Sequence, residues 1–209
     1  MVVERDQRSS IGPFLTGRMV VTGAETIEVV YPTRDYYGET KKLLDESILR
    51  EVSTLQVFSQ TDSPYFPEEY SMTKCNDALV INFERTGTPL RALMNKKELL
   101  AEHGINIMKM VVDALSYMHK KGYAHRGLTP ENILISDDYK NLKLIGFNQT
   151  HHWERDISQF PPESLPYSHN KDKHWGVASP RWDFRAAGTI FFEMMQPVGL
   201  FNITRQHTD

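Results

Sequence analysis

Residues 123–135 read YAHRGLTPENILI, and this stretch decides the fold. A His-Arg pair, a glycine, a Thr-Pro turn, an asparagine and an apolar triplet follow one another without helical period. That is the pattern of a loop entering a short buried strand. Directly upstream, residues 105–119 set Met108, Val111, Val112, Leu115 and Met118 on one helical face, and Lys120-Lys121-Gly122 supplies terminal cations and a glycine cap. Downstream, residues 142–145 (LKLI) form a second apolar run, and the polar residues 137–141 between the runs predict a hairpin turn. Gly146-Phe147-Asn148 follows. Pro161-Pro162-Glu163 then stands in a period-free stretch, and at Asp183 a strongly apolar pattern (DFRAAGTIFFEMM) predicts a helix buried on most sides.

The first eighty residues have the opposite character. Val20-Val21 and residues 27–31 (IEVVY) are β-branched runs separated by Thr22-Gly23-Ala24, which predicts a hairpin. Leu44, Ile48, Val52 and Leu55 recur at three- and four-residue spacing within an amphipathic helix over 39–58. Residues 70–72 and 78–83 predict a second strand pair, with Asn76-Asp77 at its turn. The polar run 84–89 (ERTGTP) reads as a linker, and a short helix opens after it at 89–94. The expected class is α+β in two lobes: a β-rich lobe over 1–87 carrying one helix, and a helical lobe over 88–209.

Composition narrows the function. At 209 residues and 40% hydrophobic the chain can bury a sizeable core. With 24 basic against 27 acidic residues, a net charge of -3 gives no electrostatic reason to expect nucleic acid or an anionic membrane. A single cysteine, Cys75, excludes a disulfide framework and a thiolate zinc site, and free cysteines are usually buried small hydrophobes. No apolar run reaches the length of a membrane span. The opening residues MVVERDQRSS are charged where a signal peptide is apolar, so the chain is expected to be soluble without a visible targeting segment.

Residues 123–135 resemble the catalytic loop of eukaryotic protein kinases, His-Arg-Asp, four residues, then Asn and an apolar triplet. Residues 142–148 (LKLIGFN) are similar to the strand leading into that family's Asp-Phe-Gly magnesium motif. Pro161-Pro162-Glu163 is similar to the Ala-Pro-Glu that ends its activation segment, and Asp183 opens a helix like the central one of its C-lobe. The order and spacing of these motifs identify a bilobal protein-kinase-like fold. The resemblance then makes the helix carrying Glu51 the αC helix and makes Glu84, Arg85, Thr86 and Gly87 the hinge that would meet an adenine. The C-lobe stops short of the family's later helices, which is expected to leave Phe191, Phe192, Met194 and Met195 partly uncovered. Residues 22–55 and the wide interval from Glu163 to Asp183 further resemble the rhoptry kinases and pseudokinases of coccidian parasites.

Against that family the reacting centre is depleted. Where the resemblance calls for a catalytic Asp the chain has Gly127, and where it calls for the metal-binding Asp it has Gly146. Asn148 replaces the motif's glycine, a residue that tolerates left-handed backbone. The phosphate-binding lysine aligns with Val30, and no lysine precedes Lys41. Glu51 therefore lacks its usual cation, and a solvated helix residue is as good a reading of it as a vestigial role. Gly12, Gly17 and Gly23 lack the spacing of a phosphate cradle. Asn132 alone survives, and an isolated amide is a poor magnesium site. A positioned base is worth roughly 10²- to 10⁴-fold in rate, and a catalytic metal several kcal/mol. Losing both leaves activity near background, even though such groups do not add simply.

The retained His125 and Arg126 imply structural roles, with His125 bonding toward Asp183, and Phe147 implies a core residue between the lobes. The implied function is a pseudokinase acting as scaffold, adaptor or allosteric partner of another kinase or regulatory protein. No cofactor or metal is expected. The alternative is a nucleotide-binding protein with weak ATP affinity and residual Ser/Thr kinase activity. The rhoptry resemblance implies secretion and a host partner, and without it a cytoplasmic protein. His151-His152, His169 and His174 read as solvated loop residues rather than metal ligands. Thr150 and Ser158 fall where an activation-segment phosphosite would lie, and Tyr65-Phe66-Pro67 reads as a packing turn.

Overall fold

The computed structural model describes residues 18–22, 26–32, 38–76, 78–84, 86–152 and 179–196. Strands β1 (Arg18–Thr22) and β2 (Thr26–Pro32) form the first hairpin, as β-branched residues favour on a pleated, half-buried surface. Helix α1 (Gly38–Phe58) intervenes before strands β3 (Tyr70–Lys74) and β4 (Ala78–Glu84). Together the four strands make an antiparallel sheet of order β1-β2-β4-β3, so β2 pairs with β4 across the gap in sequence that α1 fills.

From Thr88 onward helices dominate. Strand β5 (Thr88–Pro89) runs into helix α2 (Leu90–Leu93) and the long helix α3 (Lys97–Lys120). Gly122 ends α3 with φ +85° and donates its N–H to His119 O at 2.9 Å, the glycine cap expected there. Short strands β6 (Tyr123–Ala124), β7 (Ile133–Ile135), β8 (Leu142–Leu144) and β9 (His151–His152) follow, and β7 and β8 form the expected hairpin. Helix α4 (Pro180–Met195) completes the described residues. A sheet-rich N-terminal part and a helical C-terminal part make the mixed α/β architecture read from the sequence.

One apolar cluster joins the two parts, from Val29, Ile81 and Phe83 of the sheet through Leu44 and Phe58 of α1 to Val111 of α3 and Ile190 of α4. Phe66 supplies a wedge between them, its ring 4.6 Å from Phe58, 5.7 Å from Tyr117 and 6.2 Å from Phe147. Such aromatic pairs contribute about 0.5–1.5 kcal/mol each beyond their buried area. The Tyr65-Phe66-Pro67 turn therefore packs the sheet side against the helices.

Several expectations shift by one step around a helix or strand. Val112 is 40% exposed, because the covered line of α3 runs through Gly104, Ile107, Met108, Val111, Leu115 and Met118, and Val112 lies about 100° from Val111. Helix α4 is covered on one side only. Trp182, Asp183, Ala186, Ala187, Ile190 and Met194 are buried, whereas Phe184, Phe192 and Met195 are exposed. Cys75 is exposed rather than buried: it sits at the β3–β4 connection, where its N–H bonds Ala78 O at 2.8 Å and its side chain faces solvent. No helix among the described residues is long and apolar enough to cross a membrane.

Candidate functional site

Asp183, 1% exposed on the first turn of α4, organises the loop between β6 and β7. Its Oδ1 accepts the main-chain N–H of Arg126 at 2.7 Å, and its Oδ2 accepts that of His125 at 2.8 Å. His119 Nε2, from the last turn of α3, lies 2.7 Å from the same Oδ2. A buried carboxylate is stable only when its lone pairs are met, and three partners from two segments meet them here. The link between His125 and Asp183 thus runs through the main chain. The His125 ring turns the other way: Nε2 donates to Ile145 O (3.2 Å) and Nδ1 accepts from the Gly127 N–H (3.2 Å). This bonding assigns a neutral ring, and burial pushes its pKa below the usual histidine value despite Asp183 nearby.

Arg126 holds φ +62°, a conformation costly for a residue with a Cβ, and its main-chain bond to Asp183 helps to hold it. Its side chain is 2% exposed, with Nη1 3.0 Å from His151 Nδ1; burial lowers its pKa to about 10, against the opposing pull of Asp183. His151 is therefore a buried structural residue. His152 packs its ring against Tyr123 (5.3 Å). Among the described residues no group of three metal-ligating side chains occurs. His169, His174, Ser158, Glu163 and the rest of the Pro-Pro-Glu stretch lie outside the described residues, as do Gly12, Gly17 and Gly23.

The two substituted glycines are buried, and each faces a side chain. Gly146 adopts φ +79°, and a Cβ placed on it would fall within the Asn132 side chain, 2.5 Å from both amide atoms. Asn132 in turn donates Nδ2 to Gly127 O at 2.8 Å. Asn132, expected from the sequence as the survivor of a reacting centre, thus occupies the space beside Gly146. At Gly127 a Cβ would meet only ordinary contacts, Gln149 Cβ and Gly146 O at 3.5 Å each. A magnesium ion of the kind the fold family implies needs oxygen ligands, and Gly146 offers no side-chain oxygen here. The residues present do not fit that ion.

The strand residue that reaches Glu51 is Tyr31, one position beyond Val30. Along β2 the side chains alternate, so Val29 and Tyr31 turn inward while Val30 faces the other side. Tyr31 Oη donates to Glu51 Oε2 at 3.2 Å. Glu51 is 0% exposed, which overturns its reading as a solvated helix residue. Burial raises its pKa to about 7, eased by the main-chain amides of Phe147, Asn148 and Gly146 and by Tyr31. Asn148 keeps negative φ inside a 3₁₀ turn, Phe147–Gln149, so the left-handed position is Gly146 rather than Asn148. The Asn148 carbonyl accepts from Arg50 Nε (2.8 Å) and Ser47 Oγ (3.5 Å), tying α1 to this segment. Phe147 is fully buried, 5.3 Å from the His125 ring and 6.3 Å from Phe58.

At the proposed hinge, Thr86 and Gly87 are half-buried, Arg85 lies outside the described residues, and the main chain of Glu84 pairs with Thr26. Gly87 packs directly on β7, where a Cβ would come within 2.5 Å of the Ile135 carbonyl carbon, so only glycine fits. Sequence reading missed His119, Tyr31, Gln149 and the Ser47–Arg50 pair. The alternation of β2 was the one available signal, and it points to Tyr31.

The family model described as Protein kinase domain matches residues 33–208. Calcium-dependent protein kinase 4 of Plasmodium falciparum is 24% identical over 205 residues, 96% of this chain and 38% of that protein. CBL-interacting protein kinase 21 of Oryza sativa subsp. japonica is 29% identical over 141 residues, 66% of this chain and 24% of that protein. Maternal embryonic leucine zipper kinase of Xenopus laevis is 39% identical over 69 residues, 33% of this chain and 10% of that protein. The chain therefore spans well under half the length of these relatives.

Two substitutions test this geometry. Asp183→Ala strands two main-chain amides and His119, and is expected to destabilise by about 3–5 kcal/mol. That corresponds to a melting transition lowered by roughly 6–20 degrees, and an unchanged transition would show that the carboxylate does not hold the loop. Gly146→Asp is expected to destabilise by about 1–3 kcal/mol through overpacking against Asn132. Adding Asn132→Ala should return part of the loss in the same denaturation measurement.

Proposed function

The chain belongs to the protein kinase domain family, and from that premise we propose that it is a pseudokinase, a kinase-fold module that works through protein contacts instead of phosphoryl transfer. Phosphoryl transfer asks a protein chiefly for positioning and charge stabilisation, through a base, metal-binding oxygens and a phosphate cation. The observation that carries the reading is the Asn132 side chain beside Gly146, filling the place where a carboxylate would have to stand. Gly127 carries no side chain to act as base, and Tyr31 meets Glu51 with a neutral hydroxyl in place of a cation. The relatives are kinases by name, and these positions are why their activity is not carried over.

The same features support a scaffold, adaptor or allosteric role. Helix α1 is tied to residue 148 by bonds from Ser47 and Arg50 to the Asn148 carbonyl, a contact that needs only the chain's own groups. The partner we propose is a protein, either another kinase or a regulatory protein. The resemblance of residues 22–55 to the rhoptry branch supports extending the proposal to a secreted protein that meets a host partner.

A thermal-shift titration with ATP, alone and with magnesium or manganese, tests the proposal. No metal-dependent shift is expected at millimolar ATP, whereas occupancy at a hundred times Kd would stabilise by about 2.7 kcal/mol. A shift of several degrees that requires the metal would overturn it. A shift independent of metal would favour nucleotide held without transfer.

A further inference from the structure

We infer that Glu51 is a proton-controlled latch where helix α1 packs against strand β2 and the segment after Gly146, closed when its carboxyl carries a proton and loosened when it ionises. The inference stands apart from the pseudokinase reading and rests on how the carboxyl is housed. Glu51 is fully buried in the middle of α1, which packs on the Phe147–Gln149 turn and bonds the Asn148 carbonyl through Ser47 and Arg50. Among the described residues its side-chain hydrogen bond comes from Tyr31, a neutral donor at 3.2 Å. The other oxygen, Oε1, has no donor in hydrogen-bonding geometry. A protonated carboxyl can accept from Tyr31 and needs no counter-charge. An ionised one leaves a buried charge with a poorly met oxygen, which strongly disfavours the packed state.

The surrounding charges do not relieve it. On α1 itself Arg50 directs Nε to Asn148 O; beneath the segment Arg126 turns toward His151, and Asp183 is taken by His119 and two amides. The neutral His125 ring bonds Ile145 and Gly127. The influences on Glu51 are burial, the Tyr31 hydroxyl and the amides of 146–148, and no charged side chain is among them.

The sign follows. The carboxyl has an ordinary pKa of 4.5 when unfolded and about 7 when folded. Between those values the folded chain keeps a proton that the unfolded chain has lost, so folding weakens as pH rises through the window and levels off above it. The folding equilibrium constant should fall roughly 80-fold across that span from this group alone.

The test compares wild type with Glu51→Gln from pH 5 to pH 8.5, reading melting temperature and the hydrogen-exchange protection of α1 amides. Relative to Glu51→Gln, wild type should lose stability with rising pH and lose α1 protection about tenfold or more, while Glu51→Gln keeps only the opposite slope that the buried neutral His125 supplies at the acid end. Equal slopes in the two proteins, or α1 protection that does not respond to pH, would overturn the latch. Should Glu51→Gln fail to fold, a carbon-13 titration of the Glu51 carboxyl in wild type decides. A midpoint near 7 supports the latch, and one near 4.5 overturns it.

Discussion

A single buried carboxylate, that of Asp183, sets the geometry on which the rest of the site depends. Its desolvation would be prohibitive alone, and two main-chain amides and an imidazole from α3 offset it. The amides belong to residues 57 and 58 positions away in sequence, so the bond fixes the loop before β7 to the first turn of α4. Arg126 can hold a left-handed backbone there because its N–H is engaged and its side chain is enclosed. None of these contacts involves a group that would handle phosphate or metal. The scaffold can therefore outlast the chemistry.

Of the two glycines, Gly146 is built over, while Gly127 keeps room for a Cβ. Asn132 lies against Gly146 and bonds Gly127 O, Gln149 packs beside Gly127, and Tyr31 takes up Glu51. On the pseudokinase reading these are neutral or steric successors to electrostatic devices, and α1 keeps its contact with the 146–148 segment. That contact runs through a carbonyl bonded by Ser47 and Arg50, through stacked Phe58 and Phe147, and through one buried acid. A buried carboxyl met by a neutral hydroxyl holds its proton more readily than an exposed one.

Much of this was legible from spacing. The hairpins, the helix before the loop and the glycine cap are local features, written in β-branching, helical period and left-handed backbone. What escaped depends on which face of an element is covered. Val30 and Tyr31 differ by one step on a strand of period two, and Val112 and Val111 by one step on a helix, so register set by distant packing decided both. The buried line of α1 carries Ser47, Glu51 and Thr54, polar residues that an apolar pattern cannot flag. His119 looked like the tail of a helix because its partner, Asp183, lies 64 residues away. Cys75 was misplaced by a general habit of cysteine that a two-stranded turn overrides.

The central claim is that a kinase-domain scaffold here stands without a reacting centre. Transfer of labelled γ-phosphate from ATP to a protein hydroxyl, with magnesium and with manganese, measures that most directly. Incorporation no faster than ATP gives without the protein is the predicted result. Turnover within the ordinary kinase range of about 1–100 per second would contradict it.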